Sequence, residues 1–148
     1  MRIGHHFSCN STPAYSFDNG LCSKIDIAKD AQLTIGNHVG MSNTIIFCMN
    51  EIVIGDYVNI GGQCLIMDSN FHSLNWEERM IPEDDKKNAR TAPVHIGSHV
   101  FIGARTIICK GVTIGDKAIV SAGSVVVCNI PPLEIWGGNP AKFIKRLE

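Results

Sequence analysis

The chain has 148 residues, 45% hydrophobic and 18% charged, with a net charge of −1. That is the balance of one globular domain, 1–148, and it excludes a disordered chain. It also lacks the basic excess that general binding to a nucleic-acid backbone needs.

At the start, Met1-Arg2-Ile3-Gly4-His5-His6 has no apolar signal stretch, and the longest apolar run, Ile45 to Met49, is far too short to span a bilayer. The six cysteines show no CxxC spacing. Free thiols in a reducing compartment are the simplest reading, so a cytoplasmic protein is expected.

From Ile35 the sequence becomes periodic, and Ile27 reads as the start of an earlier, looser turn. Ile35, Met41 and Phe47 are followed, one residue late, by Ile54, Ile60 and Ile66. Later, Ile96, Ile102, Ile108, Ile114, Val120 and Val126 run six apart without a break. Glycine directly follows many of them, and four places on stand small or β-branched residues: Val100, Thr106, Val112, Ala118, Ser124, with Ile130 at the end. A period of six fits neither a helix face nor a long alternating strand. It predicts a solenoid whose coil has three short strands and tight corners, an all-β parallel β-helix. Each aliphatic points into a narrow core and contributes roughly 1.5–3 kcal/mol of burial.

Residues 73–93 break the ladder with a highly charged stretch and are expected to form a loop extruded from one corner. Beyond Pro131-Pro132, Asn139 reads as an N-cap and Pro140 as a first helical residue. The spacing of Phe143, Ile144 and Leu147 against Lys142, Lys145 and Arg146 predicts a short capping helix over 140–147.

The stretches Ile54-Gly55-Asp56-Tyr57-Val58-Asn59-Ile60-Gly61, Asp68-Ser69-Asn70-Phe71-His72, Pro93-Val94-His95-Ile96-Gly97, Gly111 to Asp116, Ala122 to Val126 and Gly138 to Lys142 resemble the hexapeptide-repeat acyltransferases. The likeness is strongest to sugar O-acetyltransferases of the maltose, galactoside and capsular-polysaccharide type. The resemblance implies a left-handed β-helix, a homotrimer with sites between subunits, acetyl-CoA as co-substrate, and a glycan or small-molecule acceptor.

It also implies that His72, where coil gives way to loop, is the general base. The residue type suits the task, because imidazole can take a proton from an alcohol attacking a thioester at neutral pH. Asp68 and Asn70 beside it, Trp76 in the loop and Asn43 are candidate acceptor contacts, although Asp68 reads equally as a turn residue, and Trp76 and Arg79 could cover the site or touch a neighbouring subunit. Gly103, Ala104, Ala122 and Gly123 are small enough to admit the pantetheine arm. Phe101 would sit near the thioester, and Lys142 and Lys145 could meet the coenzyme phosphates. Where relatives carry a Thr-Lys pair after the Gly-Ser-hydrophobic-hydrophobic run, this chain has Val127-Cys128, so that polar contact is in doubt. No metal is expected. Two other functions fit the same coil: a zinc enzyme of the γ-class carbonic anhydrase type, and a non-catalytic β-helix subunit of a larger assembly.

Overall fold

A computed structural model describes residues 1–11 and 22–148. Every third strand returns to the same face, so the chain winds a three-sided coil. One face stacks β1 (Arg2–Ile3), β4 (Gln32–Ile35), β7 (Glu51–Ile54), β10 (Val94–Ile96) and β13 (Thr113–Ile114). A second stacks β2 (Ser8–Asn10), β5 (Gly40–Ser42), β8 (Asn59–Ile60), β11 (Phe101–Ile102), β14 (Ile119–Val120) and β16 (Glu134–Gly137), with β17 (Lys142–Arg146) at its edge. The third holds β3 (Lys24–Ile27), β6 (Ile45–Cys48), β9 (Leu65–Met67), β12 (Ile107–Ile108) and β15 (Val125–Val126). All pairings are parallel except β16 with β17, and the helix is left-handed.

The register explains the six-residue period. Ile54, Ile96 and Ile114 pair in one column, Ile60, Ile102 and Val120 in the next, and Ile66, Ile108 and Val126 in the third, all buried. The residues four places on are buried as well. Where they are polar they serve the corner: Thr106 Oγ1 donates to the Gly103 carbonyl at 2.7 Å, and Ser124 Oγ to that of Ser121 at 2.6 Å. The corners need left-handed backbone, which His38, Tyr57, His99 and Lys117 adopt along one edge and Asn43, Gln63 and Arg105 along another. Glycine is forced where coils touch: a Cβ on Gly55 would lie 2.8 Å from the Ser98 nitrogen and 2.9 Å from the Gly97 carbonyl carbon.

Three expectations change. Phe47 is not a core residue. Ile46 and Cys48 point inward, and Ile46 pairs with Ile66. The corner after Met41 is one residue short, so Thr44 fills its buried slot three places on, and strand alternation then turns Phe47 outward. The ladder also begins earlier than Ile27, since β1 and β2 pair with β4 and β5.

The third change concerns residues 140–147, which do not form a capping helix. Residues 142–146 are strand β17, which turns back at Gly138–Pro140 and pairs antiparallel with β16. The last parallel strand leaves an edge of unpaired backbone, and a hairpin satisfies more of it than a helix would. Phe143 meets Trp136 edge-on at 6.5 Å.

Residues 73–93 do leave the coil, as expected. They carry a 3₁₀ turn, Glu78–Met80, and a helix, α1 (Pro82–Asn88), with Pro82 in the first turn and three acidic residues following it. The root of this arm is closed by an antiparallel bridge between Ser69 and Thr91 and by Asn70 N–H donating to the Arg90 carbonyl at 3.0 Å.

Candidate active site

β9 runs straight into the arm, and the transition leaves a cleft of about 500 Å³ against the outer side of the third face. Met67, Ser69, Asn70, Phe71, His72, Ser73, Leu74, Arg79, Cys109 and Lys110 line it. Phe71 takes left-handed backbone there and packs edge-on against Phe47 at 5.3 Å. That sharp turn lets the His72 imidazole stand 69% exposed. Its Nδ1 lies 2.6 Å from Asp85 Oδ2, and the second oxygen of the same carboxylate accepts the Ser73 N–H at 2.7 Å. These two hydrogen bonds, from His72 first, hold the Asp85 carboxyl below its ordinary value.

Ser73 is the joint of the arm. Its hydroxyl donates to the Glu78 carboxylate and accepts the Asn75 N–H, while its carbonyl accepts from Arg79 Nη1 at 2.7 Å. Arg79, expected with Trp76 to cover the site or touch a neighbouring subunit, lines the cleft. Asp85 was not legible as a site residue: it lies thirteen positions beyond His72, in a stretch with no period, and only the arm's turn and helix bring it back.

Asn70 stands in the cleft with His72. Asp68, expected as an acceptor ligand, does not. It is fully buried, and its two oxygens accept the N–H groups of Met49 and Asn50, each at 2.7 Å. Both acceptor atoms are spent on the neighbouring corner, so the turn reading is the one realised. Trp76 is 64% exposed on the arm and does not line the cleft. Asn43 is buried at a left-handed corner, with both side-chain polar atoms lacking a hydrogen-bond partner, and does not line the cleft either.

A second cleft, of about 350 Å³, lies at the corner between the second and third faces. Ala104, Arg105, Ala122 and Gly123 line it. Three of the four small residues expected to admit the coenzyme arm thus meet in one groove. Gly103 does not join them, because it is buried against the next coil. Phe101 is on the outer side of the second face, between Asn59 and Ile119, and lines neither cleft. Lys142 and Lys145 are exposed on a strand, so a shared helical face of cations does not exist. The hairpin turn nevertheless docks beside the second cleft: Ala141 N–H donates to the Val125 carbonyl at 2.8 Å, and Gly138 N–H to Ser124 Oγ at 3.1 Å.

Burial pushes the Cys109 thiol up, with Lys110 opposing it, and Cys48 is pushed up to about 11 by burial and then by the Asp68 carboxylate. Neither is an activated nucleophile. Among the described residues, no three His, Cys, Asp or Glu side chains converge as a metal site would require.

Residues 93–128 match the family described as the hexapeptide repeat of succinyl-transferase. A hexapeptide-repeat acetyltransferase from Vibrio cholerae has a crystal structure that superposes with a TM-score of 0.80 at 30% identity, covering 99% of this chain and 74% of that one. The chain belongs to the hexapeptide-repeat acetyltransferase family. A second crystal structure of that Vibrio acetyltransferase holds acetyl-CoA; it matches with a TM-score of 0.75 at 28% identity, over 99% of this chain and 71% of that one. The galactoside O-acetyltransferase of Escherichia coli is 30% identical over 115 residues, 76% of this chain and 56% of that enzyme. A putative acetyltransferase of Staphylococcus aureus is 35% identical over 77 residues, 52% of this chain and 36% of that protein. The hexapeptide-repeat chain described here thus spans only 36% and 56% of the length of these two curated relatives.

Proposed function

We propose that this protein is an acetyl-CoA-dependent O-acetyltransferase that acetylates a hydroxyl of a sugar or polysaccharide precursor in the cytoplasm. The observation that carries this reading is the exposed His72 imidazole in a cleft beside the coil. It is supported by the acetyl-CoA bound to the Vibrio relative and by the galactoside chemistry named for the Escherichia relative.

In this reading the acetyl-pantetheine arm lies along Ala104, Ala122 and Gly123, whose small side chains leave the floor of the groove open beside Arg105. Lys142, just after the docked turn, meets a coenzyme phosphate. Acceptor and thioester meet at His72. Neutral imidazole takes the hydroxyl proton while the oxygen attacks the carbonyl carbon. A backbone N–H at a coil corner stabilises the oxyanion, and the imidazolium returns the proton to the departing sulfur.

The enzyme is a homotrimer. Over β6, β9, β12 and β15 the outward residues of the third face, Ile45 and Phe47, Leu65 and Met67, Ile107 and Cys109, Val125 and Val127, form two aligned columns that are almost wholly apolar, and only β3 at their end adds charge, with Lys24 and Asp26. By contrast, the first face turns out Arg2, Gln32, Thr34, Glu51, His95 and Thr113, with Val53 the apolar exception. An apolar sheet face needs a partner, and a second copy there puts the His72 cleft at the seam between subunits.

The test is thiol release from acetyl-CoA across a panel of saccharide and nucleotide-sugar acceptors, with His72→Ala as control. Turnover with a saccharide hydroxyl that falls by about 10²–10⁴-fold in the variant supports the reading. Full turnover in His72→Ala overturns it.

A further inference from the structure

Two cations line the His72 cleft, Arg79 and Lys110, and no carboxylate among the described residues lines it with them. They reach it from different parts of the chain. Arg79 lies in the 3₁₀ turn of the arm, and its Nη1 donates to the Ser73 carbonyl at 2.7 Å, which holds the guanidinium beside the arm's joint. Lys110 belongs to the coil, at the corner after β12. On either side of it the backbone is fixed, since the N–H groups of Cys109 and Gly111 donate to the carbonyls of Val126 and Ala92, each at 3.0 Å.

Neither cation is used up within the chain. Among the described residues, Arg79 Nε and Nη2 donate to no group, and Lys110 makes no ion pair and no hydrogen bond. Lys110 is half-buried all the same. The nearby acids are turned elsewhere: Asp85 faces His72 and the Ser73 N–H, and Glu78 takes the Ser73 hydroxyl. Spare cationic donors in the cleft that holds the reactive imidazole are suited to meet an anion.

We infer that the acceptor carries an oxyanion, a sugar carboxylate or a sugar phosphate, and that Arg79 and Lys110 bind it. This rests on the reading of His72 as general base of an acetyl transfer. The guanidinium offers a planar set of donors that matches two oxygens of either group, and the ammonium adds a point charge from the coil side. A cleft of about 500 Å³ holds both cations and His72, so the anion lies on the acetylated sugar ring or on its immediate neighbour. It is bound and takes no part in the bond changes. A neutral saccharide must strip water from the same cations with no anion in return, and that difference sets the specificity.

The test gives the full-length protein a neutral hexose, the uronate of the same hexose and its 1-phosphate. Acetyl transfer is followed at low salt, and binding is read separately from the shift of the His72 imidazole resonance as each sugar is added. In wild type a charged sugar should exceed its neutral parent in kcat/KM by about 10-fold or more, and the excess should shrink as salt rises. Whether the uronate or the phosphate gains more tells which oxyanion the cleft takes. Lys110→Met should cut the preference for charge by about 10-fold, Lys110→Glu should reverse it, and Lys110→Arg should keep it.

If charged and neutral sugars bind and react equally, or none of them moves the imidazole resonance, the inference is overturned. If Lys110→Met raises the KM for acetyl-CoA and leaves the acceptor preference intact, the cations serve the coenzyme and the inference fails. It fails as well if Lys110→Met dissociates the trimer, since the lysine is then an interface contact. If His72→Ala turns over the charged sugar as fast as wild type, the functional reading falls while the anion preference survives.

Discussion

Asp68→Ala tests whether the aspartate four residues before His72 holds the coil or the acceptor. The change removes two acceptors at once and leaves the N–H groups of Met49 and Asn50 without them. A hydrogen bond to a charged group contributes about 1.5–3 kcal/mol. Asn50 is exposed and Met49 only half-buried, so water recovers part of the loss and about 2–4 kcal/mol is the expected cost. For a chain of this size that lowers Tm by roughly 5–15 °C. Asp68→Asn should cost nearly as much despite its equal size, because its amide nitrogen would face a backbone N–H with no acceptor between them. The assay is thermal and urea melting at one fixed protein concentration, paired with steady-state kinetics well below the melt. Acceptor KM should stay within about twofold of wild type, since Asp68 has no oxygen left for a ligand. An unchanged midpoint together with a raised acceptor KM would refute the structural assignment and restore Asp68 to the binding site.

Other outcomes follow from the same geometry. Sedimentation should give a trimer, and Met67→Glu, which plants a charge in the apolar outer columns of the third face, should yield monomers; a trimer that tolerates it places the interface elsewhere. Lys142→Ala and Ala122→Leu should both raise the KM for acetyl-CoA and spare that for the acceptor, but only the lysine effect should fade at high salt; equal binding of coenzyme A and its dephospho form would remove the phosphate contact. Because the Asp85 carboxyl is held below its ordinary value of 3.8, its contribution to arm order is fully present above that pH and is lost as pH falls through the lower, folded value. Ser73 amide exchange, corrected for intrinsic rate, should therefore stay slow down to about pH 4, and loss of protection at pH 5–6 would contradict the pairing. At pH 8 a thiol reagent should modify exposed Cys9 and Cys128 quickly and leave Cys48, pushed up to about 11, unreacted in the folded state.

The coil could be read in the sequence because one physical demand, an aliphatic in a three-sided core, recurs every six residues, and Ile96 to Val126 meet it without exception. Phe47 misled because a corner can lose a residue without any local signal, and a shift of one reverses which side chain faces in. The C-terminal segment misled for a different reason. Asn139-Pro140 and the spacing after it are locally sound helix signals, but the unpaired edge of β16 is a demand set by the rest of the fold. His72 was legible through its motif and its place at the break in the ladder. Asp85 was not, because acidic residues crowd that stretch and nothing local distinguishes the one that folds back. Ala104, Ala122 and Gly123 were found by size alone, which is what a groove beside a backbone selects for; Gly103 met the same criterion and proved to be corner packing.

The bridge between Ser69 and Thr91 has a consequence for how such a protein can change. It holds the two ends of the arm side by side, so β10 takes its place on β7 whatever lies between. The scaffold is indifferent to the length of what is spliced in there, since doubling a loop adds only about 0.6 kcal/mol of closure entropy. New acceptors can thus be reached by rewriting a surface insert while every rung of the coil keeps its register.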